Sequence, residues 1–514
     1  MKFNRNTISI SLFLFLNLTI FVNAEGIKCS NPNAAPEAKA LLEFLNSISG
    51  KYILSGQHNY PNTKDRNSEF AENYIGKMPV IFSSDFGFAK AGDKDSYLAR
   101  NDIVNEAIRQ HKAGAIITLM WHAVPPTANE PIVFQQDPGK TSPDSLASVQ
   151  GQLLDQQYKD LLTPGTELYK HWCAQVDTIA LYLKRLQDAH VPVLWRPYHE
   201  MNGDWFWWGG RIGKKGTAAL YRQLYDRFVN YHKLNNLIWV WSVDRPAIPE
   251  REFSNYYPGN KYLDILSLDV YGSDFSQAYY DSLVNLSKGK VIALAEVGNP
   301  PENSILKSQP LWAYYVIWAG MVRNTLEKQY DKLADDSRIL WLDDSDYRKI
   351  VTPYRLACGL SPLTFSLKPD FSGTWFFDEN KSILDNMGTG SLPSTLNINQ
   401  NGDSLTIKKT FVEEYTGNRI TIDHLILDGT ETKSPMPNSP ATIKADWNNK
   451  SDTLVIVSSV TFKFGDRAVE MNSEEEWTLQ DNGRILSIGQ TSDSFHGKRK
   501  ITMIFNKVIT GWQK

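Results

Sequence analysis

Apolar and polar residues follow two different patterns along this chain. In the first part, short apolar runs recur, and amphipathic stretches with apolar residues three and four positions apart lie between several of them. The runs have the length and β-branched content of buried strands, at 52–55, 78–83, 115–121, 191–195, 237–241, 263–269, 291–295 and 314–319. The amphipathic stretches include helices predicted at 97–113, 167–189 and 217–233. Strand, helix, strand at this spacing is typical of a parallel sheet.

The number of predicted strands favours a closed barrel. Eight runs between residues 25 and 365 indicate an α/β domain of the (β/α)8 TIM-barrel type. A doubly wound open sheet is the alternative fold. No glycine-rich phosphate loop follows the first strand, which argues against a nucleotide-binding version of that sheet.

The second pattern begins near Phe365, where helical periodicity disappears. About nine short alternating segments follow, at 373–377, 395–399, 404–409, 419–427, 441–447, 453–460, 468–479, 484–489 and 498–505. Residues 366–514 are therefore predicted to form a smaller antiparallel all-β domain, either a sandwich or a small barrel.

The first residues have the layout of a signal peptide. Lys2 and Arg5 precede an apolar segment at 8–22, and Val22-Asn23-Ala24 offers small residues before a cut. We therefore expect residues 1–24 to be removed and the protein to be secreted or periplasmic. The segment is short and contains Asn17 and Thr19, and no later apolar run reaches membrane length, so no membrane span is expected.

Composition narrows the classes of partner. The chain has 514 residues, of which 42% are apolar and 22% charged, and its net charge of −3 gives no reason to expect a nucleic-acid partner. Neutral or weakly charged substrates fit this charge better. A monomeric protein is also expected. Cys29 and Cys358 lie near the two ends of the first domain, and a closed barrel brings such ends together. Whether a disulfide joins them is left open by the sequence, whereas Cys173 is expected to be a buried free thiol.

Nearly every predicted strand of the first domain is followed by a polar or aromatic side chain. In a barrel, the carboxyl ends of the strands share one face, where active sites are built. A lone residue of this kind is more often a cap or a hydrogen-bond partner, but a converging set predicts an active site. The set is Gln57, His58, Asp85, His122, Arg196, His199, Glu200, Asp244, Asp269, Tyr271, Glu296 and Trp318.

Two glutamates in this set suggest a reaction. Glu200 follows the fourth strand and Glu296 the seventh, so their carboxyl groups can face each other across the mouth of the barrel. Hydrolysis of a glycosidic bond needs one carboxylic acid and one carboxylate, about 5 to 5.5 Å apart for retention and about 6.5 to 9.5 Å for inversion. Alternatively, either glutamate only pairs with Arg196.

The loop after the fourth strand is unusually aromatic. Trp205, Phe206, Trp207 and Trp208 stand in a row, and aromatic rings pack well against the C–H faces of sugars. The alternative for these tryptophans and for Trp318 is a place in the core, which we expect for at least one of them.

The motifs WRPYHEMNGDWFWWGG, AEVGN, SGQHN, MWH and LDVYG together resemble glycoside hydrolase family 26, whose best-known members are secreted β-mannanases. The resemblance covers the first domain and implies a retaining mechanism, with Glu200 as acid/base and Glu296 as nucleophile. On physical grounds, Arg196 and Tyr271 are expected near Glu296, where they would hold the pKa of this nucleophile low, while the aromatic residues around Glu200 would raise the pKa of the acid. The sugar contacts that the resemblance implies are His122, His199, Trp205, Asp269, Tyr271 and Trp318. The segments FSGTWFFDENKS and LNINQNGDSLTI are similar to the start of lipocalin-like barrels.

Several alternatives stay open. A metal-dependent hydrolase would use His58, His122 and His199, but neither His-x-His nor His-Glu-x-x-His occurs, so neither metal nor cofactor is expected. The glycan is mannan, mixed-linkage β-1,3-1,4-glucan or β-1,3-xylan, cut internally or from one end. A non-catalytic glycan-binding protein is the alternative to an enzyme. Three roles stay open for the second domain: structural support of the first domain, glycan binding, or binding of an apolar ligand.

Overall fold

The computed structural model describes residues 28–60, 64–87, 97–136, 145–363, 368–385, 388–413, 417–434, 441–448, 452–464, 467–481, 483–494 and 497–508. The predicted signal peptide at 1–24 and the predicted boundary near residue 365 lie outside these residues. Among the described helices, none combines the length and apolar content needed to cross a bilayer.

The first sheet is parallel and closes into a barrel. Its strands are β1 Ile53–Leu54, β2 Gly56–His58, β3 Ile81–Asp85, β4 Ile116–Trp121, β5 Val193–Pro197, β6 Leu237–Asp244, β7 Ile265–Val270, β8 Val291–Val297, β9 Trp312–Ile317 and β10 Ile339–Leu340. Neighbouring strands pair in order from β2 to β9, and β9 pairs with both β8 and β2. The predicted eight-stranded barrel is therefore confirmed, and the open-sheet alternative is wrong.

Helices surround this barrel. They are α1 Pro36–Ile48, α2 Arg66–Ile75, α3 Arg100–Ala113, α4 Asp155–Leu161, α5 Glu167–Asp188, α6 Thr217–Asp226, α7 Gln277–Ser287, α8 Asn303–Ser308, α9 Glu327–Ala334, α10 Ser345–Ile350 and α11 Thr352–Ala357. The longest, α5, begins where the hydroxyl of Thr166 accepts a hydrogen bond from the backbone N–H of Tyr169. Its buried face, which includes Val176, Ile179 and Leu183, packs into the core around the strands.

Two details of the barrel differ from the predicted strands. The first run, 52–55, matches β1 only, and a separate strand, β2, begins just after it at Gly56. A Cβ at Gly56 would lie 2.4 Å from the carbonyl oxygen of Tyr315, so the chain here passes very close to β9. The two-residue strand β10, which pairs with β1, was not predicted because it is too short to produce a pattern.

The second sheet is antiparallel and nearly closed. Its strands are β11 Gly373–Phe377, β12 Thr395–Asn401, β13 Ser404–Glu413, β14 Gly417–Ile426, β15 Glu431–Ser434, β16 Ala441–Trp447, β17 Leu454–Phe464, β18 Arg467–Gln480, β19 Ile485–Ser494 and β20 Gly497–Lys507. Their order is β14-β13-β12-β11-β20-β19-β18-β17-β16-β15, so only β14 and β15 lack a second neighbour. Nine of these strands match predicted segments. The polar strand β15 was not predicted, because it has no apolar alternation.

The interior of the second barrel is apolar over part of its length. Trp375 and Trp477 are 0% and 1% exposed in its core, and Trp447 is half-buried with its ring 5.9 Å from that of Phe371. Trp375 and Trp477 are therefore core residues and not open platforms for sugars.

All three cysteines are free thiols. Cys29 and Cys358 pack against one apolar cluster, but the disulfide considered for them is not formed. Burial raises the pKa of both thiols to about 12, which disfavours the reactive thiolate. Cys173 is also a free thiol, as predicted. It is half-buried, however, whereas a buried thiol was predicted.

Candidate active site

The carboxyl ends of the barrel strands bring the predicted residues together. Asp85 and Asp244 are the last residues of β3 and β6, and His122 directly follows β4. Asp269 and Glu296 are the second-last residues of β7 and β8. Trp318, predicted inside the eighth strand, lies just after the end of β9. Parallel strands have a common direction, so these positions share the mouth of the barrel.

Arg196, on β5, links two acidic residues under this mouth. One of its Nη atoms donates to Glu296 Oε2 at 2.9 Å and also to a carboxylate oxygen of Asp269. The Nε donates to the hydroxyl of Ser242 at 3.2 Å, and that hydroxyl donates to Asp269 at 2.9 Å. Arg196 is 3% exposed, so its hydrogen bonds are made away from bulk water, where they are strong.

Both oxygens of Glu296 are held by donors. Arg196 binds one oxygen, and the hydroxyl of Tyr271 donates to the other. Burial, together with the charge of Glu296, raises the pKa of Tyr271 far above its ordinary value, so this hydroxyl stays protonated and continues to donate. Two hydrogen-bond donors therefore fix the orientation of this carboxylate, as a nucleophile requires.

Glu200 has the opposite environment. It is 8% exposed, and burial raises its pKa well above the ordinary value, with further contributions from the charges of Glu296 and Asp269. The Nε1 of Trp205 donates to its Oε2 at 2.6 Å and fixes the direction of the carboxyl group. Glu200 also has a left-handed backbone, with φ of 50°. The geometry therefore favours a protonated acid at Glu200.

Trp205 is positioned by its neighbours. A Cβ at Gly203 would lie 2.3 Å from its ring, so only glycine fits below it. The guanidinium of Arg251 lies 5.2 Å from the ring centre and forms an ion pair with Asp204 at 2.5 Å. Trp205 itself is half-buried, which leaves ring surface accessible at the mouth.

The histidines form a wall of the site. The rings of His122 and His199 are 4.4 Å apart, and a ring nitrogen of His122 hydrogen-bonds Asp85. Burial, followed by the nearby His122 and Arg196, lowers the pKa of His199 well below its ordinary value, so the ring is neutral. His58 stacks on Trp318 at 4.1 Å, and burial lowers its pKa to about 3.

The other two tryptophans of the aromatic loop are core residues. Trp207 and Trp208 are 0% exposed, and their indole N–H groups donate to the backbone carbonyls of Ala123 and His199. Trp318 is half-buried beside the site. The prediction that at least one of the four tryptophans belongs to the core is thus confirmed.

The segment between β4 and α4 supports the aromatic loop. Of the predicted insertion at 125–157, residues 137–144 are outside the described part of the chain. The side-chain amide of Gln152 donates to the carbonyls of Asp204 and Phe206, both at 2.9 Å, and the N–H of Gly151 donates to Trp205 O at 2.9 Å. The insertion therefore helps to set the position of Trp205.

Asp269, which is predicted to contact the sugar, is bonded to protein groups in the structure. Asp269 is 0% exposed, and its two oxygens accept hydrogen bonds from Arg196 and Ser242, so it lies behind Arg196 and not on the surface of the cleft. Its motif position placed it in the mouth, but only the three-dimensional arrangement shows that Arg196 covers it.

Three further residues were missed. Ser242 and Arg245 lie at the end of β6 and just beyond it, where the strand-end rule could have identified them. Arg245 donates to the carbonyl of Tyr271 at 2.7 Å and so supports that residue. Arg251 lies in a short 3-10 turn, Pro249–Arg251, and no sequence signal indicated its contact with Trp205.

Among the described residues, no group of three or more His, Cys, Asp or Glu side chains is arranged to hold a metal ion. The two glutamates and their donors can instead perform acid and nucleophilic chemistry on a bound glycoside.

Comparison with known proteins identifies relatives of the barrel. Residues 30–343 match the profile of Glycosyl hydrolase family 26. Mannan endo-1,4-beta-mannosidase of Thermothelomyces thermophilus is 35% identical over 306 residues, which are 58% of this chain and 58% of that protein. A Bacillus subtilis protein of the same name is 28% identical and is covered over 98% of its length by 67% of this chain.

Solved structures agree with these matches. GH26A from Muricauda sp. MAR_2010_75 is 41% identical with a TM-score of 0.55, covering 61% of this chain and 98% of that one. The Podospora anserina GH26-CBM35 beta-(1,4)-mannanase is 30% identical with a TM-score of 0.53, covering 64% and 70%. The chain spans only about half the length of the first curated relatives, 58%, 45% and 48%.

Proposed function

Because this chain belongs to glycosyl hydrolase family 26, we propose that it hydrolyses β-1,4-mannosidic bonds in mannan-type polysaccharides, with retention of configuration. Its relatives named mannan endo-1,4-beta-mannosidase support this substrate. One observation carries the proposal: Glu296 is held at both oxygens by Arg196 and Tyr271, while burial and the nearby charge of Glu296 raise the pKa of Glu200.

The proposed reaction has two steps. Glu296 attacks the anomeric carbon while Glu200 donates its proton to the leaving oxygen, which produces a glycosyl-enzyme ester and a shortened glycan. Glu200, now ionised, then takes a proton from water as that water attacks the ester, and Glu296 is released. Arg196 and Tyr271 each donate a hydrogen bond to one oxygen of Glu296 and direct the carboxylate for the attack.

The remaining residues would bind and orient the sugar. The half-buried rings of Trp205 and Trp318 offer stacking surfaces, and His58 supports the second of these rings. His122 and the neutral ring of His199 offer hydrogen-bonding groups to hydroxyls. Asp269 takes part only through Arg196.

The test is release of reducing ends from linear mannan. We expect wild-type activity to fall by at least about 10⁴-fold in Glu296→Ala, because loss of the nucleophile stops covalent catalysis. Glu167→Ala, which changes an exposed carboxylate on α5, is the control and should keep full activity. A non-catalytic glycan-binding protein would release no reducing ends even as the wild type.

Stereochemistry and substrate need separate measurements. In NMR spectra of early products, β-anomers would support retention, whereas α-anomers would contradict it. Product-length profiles on mannan, mixed-linkage glucan and β-1,3-xylan would distinguish the three glycans and internal from terminal cleavage. Faster hydrolysis of glucan or xylan would replace mannan as the substrate.

We also propose that the protein is exported and that it acts as a monomer. The N-terminal pattern at 1–24 supports export. Mass spectrometry of the protein recovered from the culture medium or periplasm should find Glu25 as the first residue. An intact N-terminus in the cytoplasm would contradict export, and light scattering would test the monomer.

A further inference from the structure

The turn that carries Glu200 is fastened to the neighbouring strand by one side chain. Asn202, just after Glu200 in the chain, is 1% exposed. Its Nδ2 donates a hydrogen bond to Asp244 O at 2.6 Å, and its Oδ1 accepts one from the backbone N–H of Asp244 at 2.7 Å. A single amide, which has both a donor and an acceptor, therefore bonds both backbone groups of the last residue of β6. We call these two bonds the latch.

The latch lies beyond the point where the backbones of the two strands stop pairing. The last residues paired between β5 and β6 are Trp195 and Trp239, although β6 continues to Asp244. Further along, the backbone N–H of Met201 donates to Ser242 O at 3.4 Å, which is long for a hydrogen bond. The shorter bonds of the latch therefore contribute most to holding the turn against β6.

The backbone of this turn needs such support. Tyr198 and Glu200 have φ angles of 48° and 50°, in the left-handed region that residues other than glycine seldom adopt. Such conformations are unfavourable and persist only where the surrounding contacts hold them. Loss of the latch should therefore let the backbone relax and should move the carboxyl group of Glu200. The latch fixes the chain only as far as Asn202.

The same amide also reaches the group that supports the hydrogen-bond donor of Glu200. Asn202 Nδ2 donates to Arg251 O at 3.0 Å. The guanidinium of Arg251 lies over the ring of Trp205, whose Nε1 donates to Glu200. Asn202 thus holds the backbone next to the acid and also the residue that packs on the donor to its carboxyl group.

We propose that Asn202 is a positioning residue for proton transfer by Glu200, which it holds within reach of the leaving oxygen. The proposal rests on the glycosidase function proposed above and adds a residue to it. Asn202 is buried and bonded to backbone groups, so it acts through Glu200 and not through contact with the sugar. With a merely structural role, its loss would lower stability without changing which leaving groups the enzyme can expel.

The test compares two substrates that differ in their need for an acid. The sugar that leaves from mannopentaose must receive the proton of Glu200, whereas 2,4-dinitrophenolate is a stable anion and leaves without a proton. In Asn202→Ala, kcat/KM for mannopentaose should fall on the order of 10²-fold, the lower end of what general acid catalysis contributes. For dinitrophenyl β-mannobioside, kcat/KM should change less than about threefold, because it reports the first step and Glu296 still attacks.

The second step provides an independent readout. Glu200 acts there as a base toward water, whereas azide is already an anion and needs no base. Azide would attack the anomeric carbon of the ester, form a glycosyl azide and release the carboxylate of Glu296. Added sodium azide should therefore raise kcat of Asn202→Ala on the dinitrophenyl substrate, with glycosyl azide as product, and leave kcat of the wild type unchanged.

Asn236→Ala is the matched control. Asn236 is 0% exposed, and its Nδ2 donates to Val191 O at 2.9 Å, so this asparagine joins the same two strands at their opposite end. Its loss should lower the melting temperature much as the loss of Asn202 does, while both kcat/KM values and the azide response stay as in the wild type. If Asn202→Ala does not fold, Asn202→Asp keeps the acceptor for Asp244 N–H, loses the donated bonds and should show the same selective loss.

The possible outcomes are distinct. An equal fall of kcat/KM on both substrates, or no fall on either, would overturn the proposal. A selective fall in Asn236→Ala would overturn it as well, because any weakening of the barrel would then have this effect. A wild type that cleaves neither substrate would contradict the proposed function itself, on which the role of Asn202 depends.

Discussion

At the scale of single residues, the hydrogen-bond partners and the burial of each glutamate determine its role in the site. Glu296 is held at both oxygens by Arg196 and Tyr271, whereas Glu200 receives one donor from Trp205 and is otherwise desolvated. The same chemical group thus receives two roles from its surroundings.

Asp269→Asn tests whether this residue positions Arg196. The amide has the same shape but no charge, so Arg196 should lose part of its orientation and kcat should fall about tenfold to a hundredfold, as expected for losing about 1.5 to 3 kcal/mol. KM should change little. Steady-state kinetics on a soluble oligosaccharide measures both parameters. A large rise in KM with kcat preserved would instead indicate that Asp269 contacts the sugar directly.

Trp205→Phe tests the hydrogen bond to Glu200. Burial raises the pKa of Glu200, so activity should be lost as pH rises through that raised value and the acid ionises. The indole donor favours the ionised form, and its removal should raise the pKa further and move the alkaline limb of kcat/KM to higher pH. The maximal kcat should fall about tenfold because the carboxyl group loses its orientation. An alkaline limb at its wild-type position or below would contradict this role.

At the scale of elements, each barrel strand ends in a group that acts in the site, while the loops determine how that group is directed. The aromatic loop after β5 is fixed by Gly203 below Trp205 and by Gln152 from the segment after β4. Stability of the loop and activity should therefore change together.

Gly203→Ala should displace Trp205. The added Cβ would lie 2.3 Å from the indole ring, and relief of such overpacking typically costs about 1 to 3 kcal/mol. We expect a lower melting temperature and a reduced kcat. Gly390→Ala, where a Cβ meets nothing within 4 Å, is the control. Thermal unfolding and kinetics identical to the wild type in Gly203→Ala would show that the loop adapts without loss.

The elements were predictable where burial produces a pattern. Parallel strands of a barrel are buried on both faces, so runs such as 291–295 stand out as apolar, and alternation revealed nine strands of the second sheet. The polar strand β15, the division between β1 and β2, and the place of Asp269 behind Arg196 depend on contacts distant in sequence. No local pattern carries that information.

At the scale of the whole molecule, the two barrels are in contact. Arg484, just before β19, bridges Glu327 at 2.8 Å and Asp331 at 3.2 Å, both on α9 of the first barrel. Its side chain is 18% exposed, so the ion pairs are partly protected from solvent.

Arg484→Met should loosen this contact without affecting catalysis. Partly exposed ion pairs are worth about 1 kcal/mol or less each, so the melting temperature should fall by only a few degrees. We expect faster limited proteolysis between the barrels and unchanged kcat on a soluble oligosaccharide. Lys498→Met, on an exposed position of β20, is the control. Proteolysis at the wild-type rate would mean that other contacts hold the two barrels together.

The location of Glu296 inside β8 limits how this protein can change. Strands on both sides of β8 are paired with it, so the carboxylate cannot be moved without altering the register of the whole barrel. Glu200, in contrast, lies beyond the end of β5, in a segment whose length is not constrained by strand pairing. In directed evolution toward new leaving groups, productive insertions and deletions should therefore concentrate beside the proton donor, while the position of the attacking oxygen stays constant.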